Sequence, residues 1–295
     1  MKIDYISDIH IDFRVREMNP NSPKIKKQVK ELIEEIGIAN SKSDILIIAG
    51  DLGHYFSQDS EFLLQCKEIY KHIILVRGNH DMYLVSKSQQ SKYLFKSENR
   101  YLELKRFCSD NDIHYLDGNV ICIDGIKIGG LGMSWDKSFL DTITDTSDYG
   151  VNELFIRYMN DARLIMDGEP YYIPMAYGSS VYRSTFKHKD YFEKELEKLK
   201  NIEPVDIMVT HYYPLSSYLP VTYPKQYKED VCSTFYMFNG EQELKRINPK
   251  YWIFGHMHKE YDFFFDNTNL LCNPLGYPGE RTYGKVKTIE ILWKN

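Results

Sequence analysis

The chain has 295 residues, of which 43% are hydrophobic and 27% are charged, a composition typical of a soluble globular protein with a sizeable buried core. No apolar run approaches the roughly 18 residues of a membrane span, and the N-terminus lacks the layout of a signal peptide, so we expect a cytoplasmic protein without a membrane partner. The formal net charge of −5 disfavours nucleic acid as a partner, because proteins that bind it usually carry a basic face. The five cysteines are scattered without a Cys-x-x-Cys pair, which argues against a disulfide framework and against a zinc–thiolate site.

The first predicted strand, Lys2 to Ile6, leads directly to two possible metal ligands. Asp8 and His10 are two residues apart, so in an extended segment their side chains point to the same side. The alternative for this motif alone is a helix cap followed by a surface histidine. A helix is then predicted to begin at Ser22-Pro23, since serine is a favoured N-cap and proline a favoured first helical residue.

Two buried strands follow, at residues 44–49 and 73–76, with a predicted helix at about 60–70 between them. A glycine comes after each strand, Gly50 directly and Gly78 after Arg77, and the polar residues that follow are Asp51, Asn79, His80 and Asp81. The alternation of strands and helices predicts a parallel sheet with right-handed crossovers. Ligands bind beyond the carboxyl ends of the strands in such sheets, so polar side chains at these positions indicate a functional site.

The pattern changes after a predicted helix at 98–110. Three short strands are predicted next, at 113–116, 120–123 and 127–130. They are separated by Asp117-Gly118-Asn119 and by Asp124-Gly125, which are hairpin signals. Antiparallel strands thus join the parallel ones, which favours a mixed sandwich over a purely doubly wound sheet.

Residues from about 134 to 188 fit neither pattern and contain several of the 24 tyrosines of the chain. These tyrosines are Tyr149, Tyr158, Tyr171, Tyr172, Tyr177 and Tyr182. An irregular segment of this length within a compact domain is usually functional or mobile, so we interpret it as an insertion that forms a cap or substrate wall. The alternative is aromatic packing that covers a face of a sheet.

Two further buried strands end in histidines. Residues 206–210 lead to His211, and residues 251–254 lead to His256 and His258, whose alternation aims both imidazoles the same way. Closing antiparallel strands are predicted at 261–265, 270–272 and 286–293. The strand ends thus supply carboxylate, amide and imidazole groups without a thiolate, a set that suits Mn²⁺, Fe, Zn²⁺ or Co²⁺ better than Ca²⁺. Nine such side chains follow the strands, and even seven ligands among them are too many for one ion and fit two ions that share a bridging carboxylate.

Taken together, these motifs resemble the five-motif signature of the calcineurin-like metallophosphoesterase superfamily. The matching residues, in the order of the family, are Asp8-x-His10, Gly50-Asp51, Gly78-Asn79-His80-Asp81, His211 and Gly255-His256-x-His258. The resemblance implies an α/β fold (α+β in some schemes) in which two mixed β-sheets pack as a sandwich flanked by helices. It also implies a single metallophosphoesterase domain over residues 1–295, with the tyrosine-rich insertion at about 134–188.

The resemblance implies a role for each site residue. One metal ion would be held by Asp8, His10 and His258, the other by Asn79, His211 and His256, and the bridge between them would be Asp51. His80 would contact the leaving-group oxygen or the transition-state charge, and Asp81 would orient the His80 imidazole. The two divalent ions would be Mn²⁺ by preference, with Fe, Zn²⁺, Co²⁺ or Mg²⁺ as alternatives.

The implied reaction is hydrolysis of a phosphoester by attack of a hydroxide that bridges the two ions. A small phosphodiester or phosphomonoester is the favoured substrate. One alternative is a nuclease of the same superfamily, which the net charge disfavours. A different kind of alternative is a non-catalytic scaffold that retains the fold. His54 stands where many family members carry a carboxylate; it would contact phosphate, lie behind the ligands, or be an exposed or packed histidine.

Overall fold

The computed structural model describes residues 1–174, 180–183 and 185–291. Its strands, in chain order, are β1 Lys2–Ile6, β2 Ile45–Ala49, β3 His72–Val76, β4 His114–Leu116, β5 Asn119–Ile123, β6 Ile126–Gly130, β7 Tyr171–Pro174, β8 Ser180–Arg183, β9 Ile207–Val209, β10 Tyr251–Phe254, β11 Tyr261–Phe265, β12 Thr268–Cys272 and β13 Lys287–Glu290. Its α-helices are α1 Pro23–Glu35, α2 Phe56–Lys67, α3 Lys87–Lys92, α4 Ser97–Asp110, α5 Asp148–Tyr158, α6 Asp161–Leu164, α7 His188–Asn201 and α8 Glu241–Ile247. None of the helices in these ranges combines the length and the apolar character that a membrane crossing requires.

The first sheet contains five strands in the order β13-β1-β2-β3-β4. Strands β1, β2 and β3 are parallel, as their alternation with helices predicts. The sequence groups β4 with the antiparallel strands, but β4 pairs with β3 in the parallel sense, while β13 pairs with β1 in the antiparallel sense. β2 consists of five consecutive apolar residues that are all buried, the pattern of a strand covered on both faces. The carboxyl ends of β1, β2 and β3 therefore meet at one edge of the sheet.

The second sheet contains six strands in the order β11-β12-β10-β9-β6-β5. Its central strands are parallel, and the hairpins β5–β6 and β11–β12 add antiparallel strands at its edges. The β5–β6 turn has positive φ at Asp124 and Gly125, which is the conformation of a type I′ turn. The hairpin predicted at Asp117-Gly118-Asn119 is wrong, because this segment carries the chain from β4 in the first sheet to β5 in the second.

The two sheets pack face to face. Their shared core contains Ile47 and Val76 from the first sheet and Ile128, Val209 and Ile253 from the second, all of them fully buried. Apolar side chains of α1, α2 and α4 cover the outer face of the first sheet, and those of α7 and α8 cover the outer face of the second. The predicted sandwich of two mixed sheets flanked by helices is confirmed.

Residues 134–188 are more regular than the sequence indicates. They contain α5, α6 and an antiparallel hairpin formed by β7 and β8. Tyr158, Tyr171 and Tyr172 are at least half exposed, with 50%, 53% and 63% of their surface accessible. Tyr177, like Trp293 in the last predicted strand, lies outside the described residues. The interpretation of the segment as a cap or substrate wall stays a prediction.

Candidate metal centre

The candidate site lies at the edge where carboxyl ends of strands from both sheets meet. Backbone hydrogen bonds join the loops there. The N–H of Asp8, after β1, donates to the carbonyl of Gly50, after β2, at 3.0 Å. The N–H of Gly255, after β10, donates to the carbonyl of His211, after β9, at 2.9 Å. The structure thereby brings the seven predicted ligands into one cluster.

The backbone of this cluster is strained. Five of the predicted ligands have positive φ angles between 44° and 66°, namely Asp8, His10, Asp51, His256 and His258. A residue other than glycine in this region costs about 1–3 kcal/mol and persists only where the surrounding structure imposes it. Gly78 is required beside these residues, because a Cβ there would lie 2.0 Å from Asp51 Oδ1. Such strain concentrates at functional sites, which supports a ligand role for the strained residues.

Asp51 lies at the centre of the cluster and is almost fully buried. Its Oδ1 accepts a hydrogen bond from the backbone N–H of His80 at 2.8 Å, which fixes the carboxylate plane. Its Oδ2 lies 3.8 Å from His10 Nε2 on one side and 3.4 Å from His211 Nε2 on the other. One carboxylate oxygen is thus positioned between two groups of candidate ligands.

The first ligand group consists of Asp8, His10 and His258. The Nε2 atoms of the two histidines are 3.0 Å apart, and His258 Nε2 is 3.4 Å from Asp8 Oδ1. Two imidazole nitrogens approach this closely only when a proton or a cation lies between them. In the metal-free protein a proton lies between them, and the same atoms converge on one point where a cation could replace it.

The second ligand group consists of Asn79, His211 and His256. The side-chain oxygen of Asn79 lies 3.1 Å from His211 Nε2, while its amide nitrogen donates to Asp161 Oδ1 at 2.8 Å. Because a carboxylate only accepts hydrogen bonds, Asp161 fixes the orientation of the Asn79 amide. The Asn79 oxygen is consequently turned towards the other ligands.

Three of the four histidine ligands are held through their second ring nitrogen. His211 Nδ1 donates to the carbonyl of Ala49 at 2.9 Å, His256 Nε2 donates to that of Phe235 at 3.2 Å, and His258 Nδ1 lies 2.8 Å from Glu280 Oε2. Such partners fix the tautomer of metal-binding histidines and leave the opposite nitrogen free to bind. The donor set, its orientation and its burial thus fit divalent cations.

The donor atoms also cluster tightly enough to share ions. Three groups have donor atoms that all lie within 4.8 Å of one another: Asp8, His10 and His258; His10, Asp51 and His80; and Asp51, His211 and His256. Asp51 and His10 each belong to two of these groups, and Asp51 is the one that reaches the group containing His211 and His256.

Burial lowers the pKa values of His10, His80 and His256, but at His211 and His258 the charges within the cluster outweigh burial. Burial lowers the pKa of His258, but hydrogen bonds to Asp8 and Glu280 raise it to about 10. Burial also lowers the pKa of His211, but the charge of the Asp51 carboxylate raises it to about 9. Without metal, the cluster therefore holds protons where a cation would bind.

We expect the apparent affinity for divalent metal to fall as the pH drops below about 9. Both His211 and His258 carry a proton at neutral pH in the metal-free protein, so a binding cation must displace these protons. Lowering the pH favours protonation of the two imidazoles and therefore weakens metal binding. Equilibrium dialysis with Mn²⁺ at pH values of about 6 and about 8.5 measures this effect. Equal affinities at the two pH values would contradict the electrostatic description of the cluster.

His80 and Asp81 follow β3, but they do not form the pair that the sequence predicts. The Asp81 carboxylate accepts hydrogen bonds from the backbone N–H groups of Gly78 at 2.6 Å, Leu52 at 3.0 Å and Asp51 at 3.1 Å. The Nδ1 of His80 instead lies 2.8 Å from His54 Nε2. The orienting role predicted for Asp81 is therefore corrected: its oxygens are committed to the loop backbone, and His54 contacts the ring.

Four residues at the site were not found from the sequence: Asp12, Asp161, Tyr277 and Glu280. Tyr277 stacks on the ring of His10 at a centroid distance of 4.5 Å, and its hydroxyl lies 3.1 Å from His80 Nε2. None of the four stands directly after a buried strand, so the pattern that found the ligands does not mark them. Only the position of Asp12, two residues after His10, offers a signal.

Carboxylate, amide and imidazole groups around one shared carboxylate, at strand ends of a two-sheet sandwich, form the kind of ligand set that two-metal hydrolases use. The chain belongs to the calcineurin-like phosphoesterase family, whose sequence model matches residues 1–260. This is a family of dinuclear metal-dependent enzymes, and the protein is accordingly a phosphoesterase. The family, the hydrolase class and the dependence on metal that the sequence predicts are confirmed.

The chain is similar to proteins from diverse organisms. Protein L509 of Acanthamoeba polyphaga mimivirus is 25% identical over 262 residues, which cover 85% of this chain and 86% of that protein. A lariat debranching enzyme of Entamoeba histolytica is 29% identical over 122 residues, which cover 39% of this chain and 34% of the enzyme. The solved structure of phosphopantetheinyl hydrolase from Mycobacterium tuberculosis matches with a TM-score of 0.68 at 17% identity, covering 98% of this chain and 95% of that one. At this identity, the structural match shows a shared fold.

Proposed function

We propose that the protein hydrolyses a small phosphodiester or phosphomonoester at the cluster around Asp51. The observation that carries the proposal is the position of Asp51 Oδ2, which lies between His10 Nε2 and His211 Nε2 in a strained and buried cluster. A shared carboxylate between two groups of nitrogen and oxygen ligands is the arrangement that two-metal hydrolysis requires.

The proposed ligand assignment follows the two groups. One ion would be held by Asp8, His10 and His258, the other by Asn79, His211 and His256, with Asp51 shared between them. When bound, two such ions lower the pKa of a water molecule to provide a nucleophile and neutralise the phosphate oxygens. Nitrogen and oxygen ligands without a thiolate favour Mn²⁺, with Fe, Zn²⁺, Co²⁺ or Mg²⁺ as alternatives.

His80 is the proposed catalytic residue. Its backbone N–H is fixed by Asp51, and its Nε2 faces the hydroxyl of Tyr277 at 3.1 Å, on the side of the ring away from His54. A protonated His80 would donate to the leaving-group oxygen, a contribution typically worth about 10²–10⁴ in rate. Asn79 is neutral where a carboxylate would add negative charge, so an anionic substrate meets less repulsion.

The burial of the site supports a small substrate. The most exposed of the seven ligands is His258, whose side chain is 18% accessible, and the others are almost completely buried. Phe13, which is 49% exposed, packs edge-on against Tyr277 beside His10 at a centroid distance of 5.0 Å. A phosphate group carried on a small molecule enters such a narrow site more readily than the surface of a folded protein does.

A nucleic-acid substrate is the second candidate. It is favoured by the 29% identity to a lariat debranching enzyme, although that match covers only 34% of the relative. The net charge of −5 disfavours it.

We further propose that residues 1–295 form one domain in which the segment at about 134–188 forms a wall of the site, since Asp161 of α6 contacts Asn79 directly. The cytoplasmic location stays a prediction.

The test is hydrolysis of bis-p-nitrophenyl phosphate and of p-nitrophenyl phosphate by protein stripped of metal and reloaded with Mn²⁺. We expect Mn²⁺ to restore hydrolysis of at least one of the two esters, since the buried cluster then holds its ions. A preference for the diester would direct the search to nucleotides and oligonucleotides, and a preference for the monoester to phosphatase substrates. Asp51→Asn protein, purified identically, controls for a contaminating phosphatase. Inactivity towards both esters with two ions bound would contradict the proposal and favour a non-catalytic scaffold.

A further inference from the structure

His54 and Asp12 form a buried extension of the site behind His80. His54 lies in the loop after β2 and is 8% exposed. Its Nδ1 lies 2.8 Å from Asp12 Oδ2, and its backbone N–H donates to Asp12 Oδ1 at 3.1 Å. A single carboxylate thus holds both the ring and the backbone of His54, which fixes the position of its imidazole.

The opposite nitrogen of His54 contacts His80. His54 Nε2 and His80 Nδ1 are 2.8 Å apart, and the two rings lie within 10° of parallel. Tyr83 packs against both rings, at centroid distances of 5.5 Å from His54 and 4.3 Å from His80. The two imidazoles are therefore held edge to edge against one aromatic wall.

The hydrogen-bonding capacities of these groups determine where the protons lie. A carboxylate only accepts, so Asp12 requires the proton of the His54 ring on Nδ1. In the neutral ring, His54 Nε2 is then an acceptor, and His80 must donate to it from Nδ1. In the neutral ring, His80 Nε2 consequently carries the lone pair and accepts from the hydroxyl of Tyr277. The proton that His80 donates in the proposed reaction is therefore one taken up at Nε2, while Nδ1 keeps its own proton for His54.

We propose that Asp12 and His54 are positioning residues for the proposed phosphoester hydrolysis, which together fix the ring orientation and the tautomer of His80. The inference rests on the proposed function, because it assumes that His80 Nε2 is the atom that meets the substrate. Neither residue touches the reacting atoms. Their effect on the reaction passes through His80 alone.

The first test compares His54→Ala with His54→Gln in metal-loaded protein. The alanine variant frees the His80 ring, so we expect kcat to fall about tenfold to a hundredfold with little change in KM and with two ions retained. Glutamine carries an oxygen that can accept the proton of His80 Nδ1, so it should recover part of the loss. His72→Ala is the matched control, because His72 is also a histidine of the β3 region but lies at the opposite end of that strand.

The second test is Asp12→Asn, which should invert the tautomers. Asparagine keeps an oxygen for the backbone N–H of His54 but places an NH₂ donor against Nδ1, so the proton of His54 moves to Nε2. His80 Nδ1 then becomes the acceptor, and its proton moves to Nε2. Nitrogen-15 NMR of the ring nitrogens in Zn²⁺-loaded protein reports this change without reference to activity, with the His80 signals assigned by their loss in His80→Ala.

The outcomes distinguish a failure of the positioning role of Asp12 and His54 from a failure of the proposed phosphoester hydrolysis. If His80→Ala lowers turnover but His54→Ala leaves kcat within about twofold of the wild type, the positioning role is wrong and the proposed function stands. An unchanged His80 tautomer in Asp12→Asn would also overturn it. If His80→Ala itself turns over normally, the proposed function fails at the role of His80. The expected result is a kcat loss in His54→Ala, its partial recovery in His54→Gln, and an inverted tautomer in Asp12→Asn.

Discussion

Asp51→Asn is expected to abolish most turnover and to lose one of the two metal ions. The substitution replaces the shared anionic oxygen between His10 and His211 by a neutral amide, which removes charge from both ligand groups at once. Metal ions supply several kcal/mol of transition-state stabilisation, so we expect a loss of at least about a thousandfold in kcat/KM. The amide oxygen of asparagine can still accept from the backbone N–H of His80, which keeps the loop in place.

Elemental analysis of purified protein measures the metal content of this variant. His10→Ala is the matched control, because it removes one terminal ligand of the first group and leaves the shared carboxylate intact. We expect the smaller defect in His10→Ala, in both bound metal and turnover. An Asp51→Asn protein that retains close to two ions per chain would contradict the assignment of Asp51 as the shared ligand.

His80→Ala is expected to depress turnover at least about a hundredfold while leaving both metal ions bound. The His80 imidazole is proposed to donate a proton to the leaving-group oxygen. Its removal therefore takes away a proton donor but no metal ligand. Steady-state kinetics together with elemental analysis measure the two effects on the same preparation. Normal turnover would exclude the role proposed for His80.

Metal content in the same variant resolves a second question about His80. Its ring nitrogen lies within 4.8 Å of donor atoms of His10 and Asp51, so the geometry alone also allows a ligand role. Loss of an ion in His80→Ala would favour that role over proton donation. Esters with poorer leaving groups than p-nitrophenol sharpen the comparison: a missing proton donor should slow them more, whereas a missing ligand should slow all esters alike.

Much of the fold and the ligand cluster was predictable because both depend on the same local pattern. Consecutive apolar residues such as Ile45–Ala49 identify buried parallel strands, and the polar residues directly after them lie at the edge where ligands bind. The hairpin at Asp124-Gly125 was equally predictable, since its turn chemistry is local. Each of these features is contained in a stretch of fewer than about ten residues.

The remaining features depend on contacts between distant segments. Asp117-Gly118-Asn119 has the composition of a hairpin turn, yet the sheet that its next strand joins is decided by the packing of the whole sandwich. Asp81 follows His80 in sequence, but its oxygens accept from backbone N–H groups instead, two in the loop after β2 and one at Gly78 in its own loop. Tyr277 and Glu280 reach the site from a loop that has no periodicity to mark it.

The hydrogen bond from Asn79 to Asp161 bears on any attempt to recombine this protein with its relatives. A chimera that exchanged the segment at about 134–188 for one without an acceptor at this position would leave the Asn79 amide nitrogen with the longer contact to the hydroxyl of Tyr83, at 3.2 Å. The Asn79 side chain could then rotate by half a turn and present its NH₂ group, a donor that repels cations, to His211. We therefore expect a functional graft to need an acceptor for Asn79 in the exchanged segment.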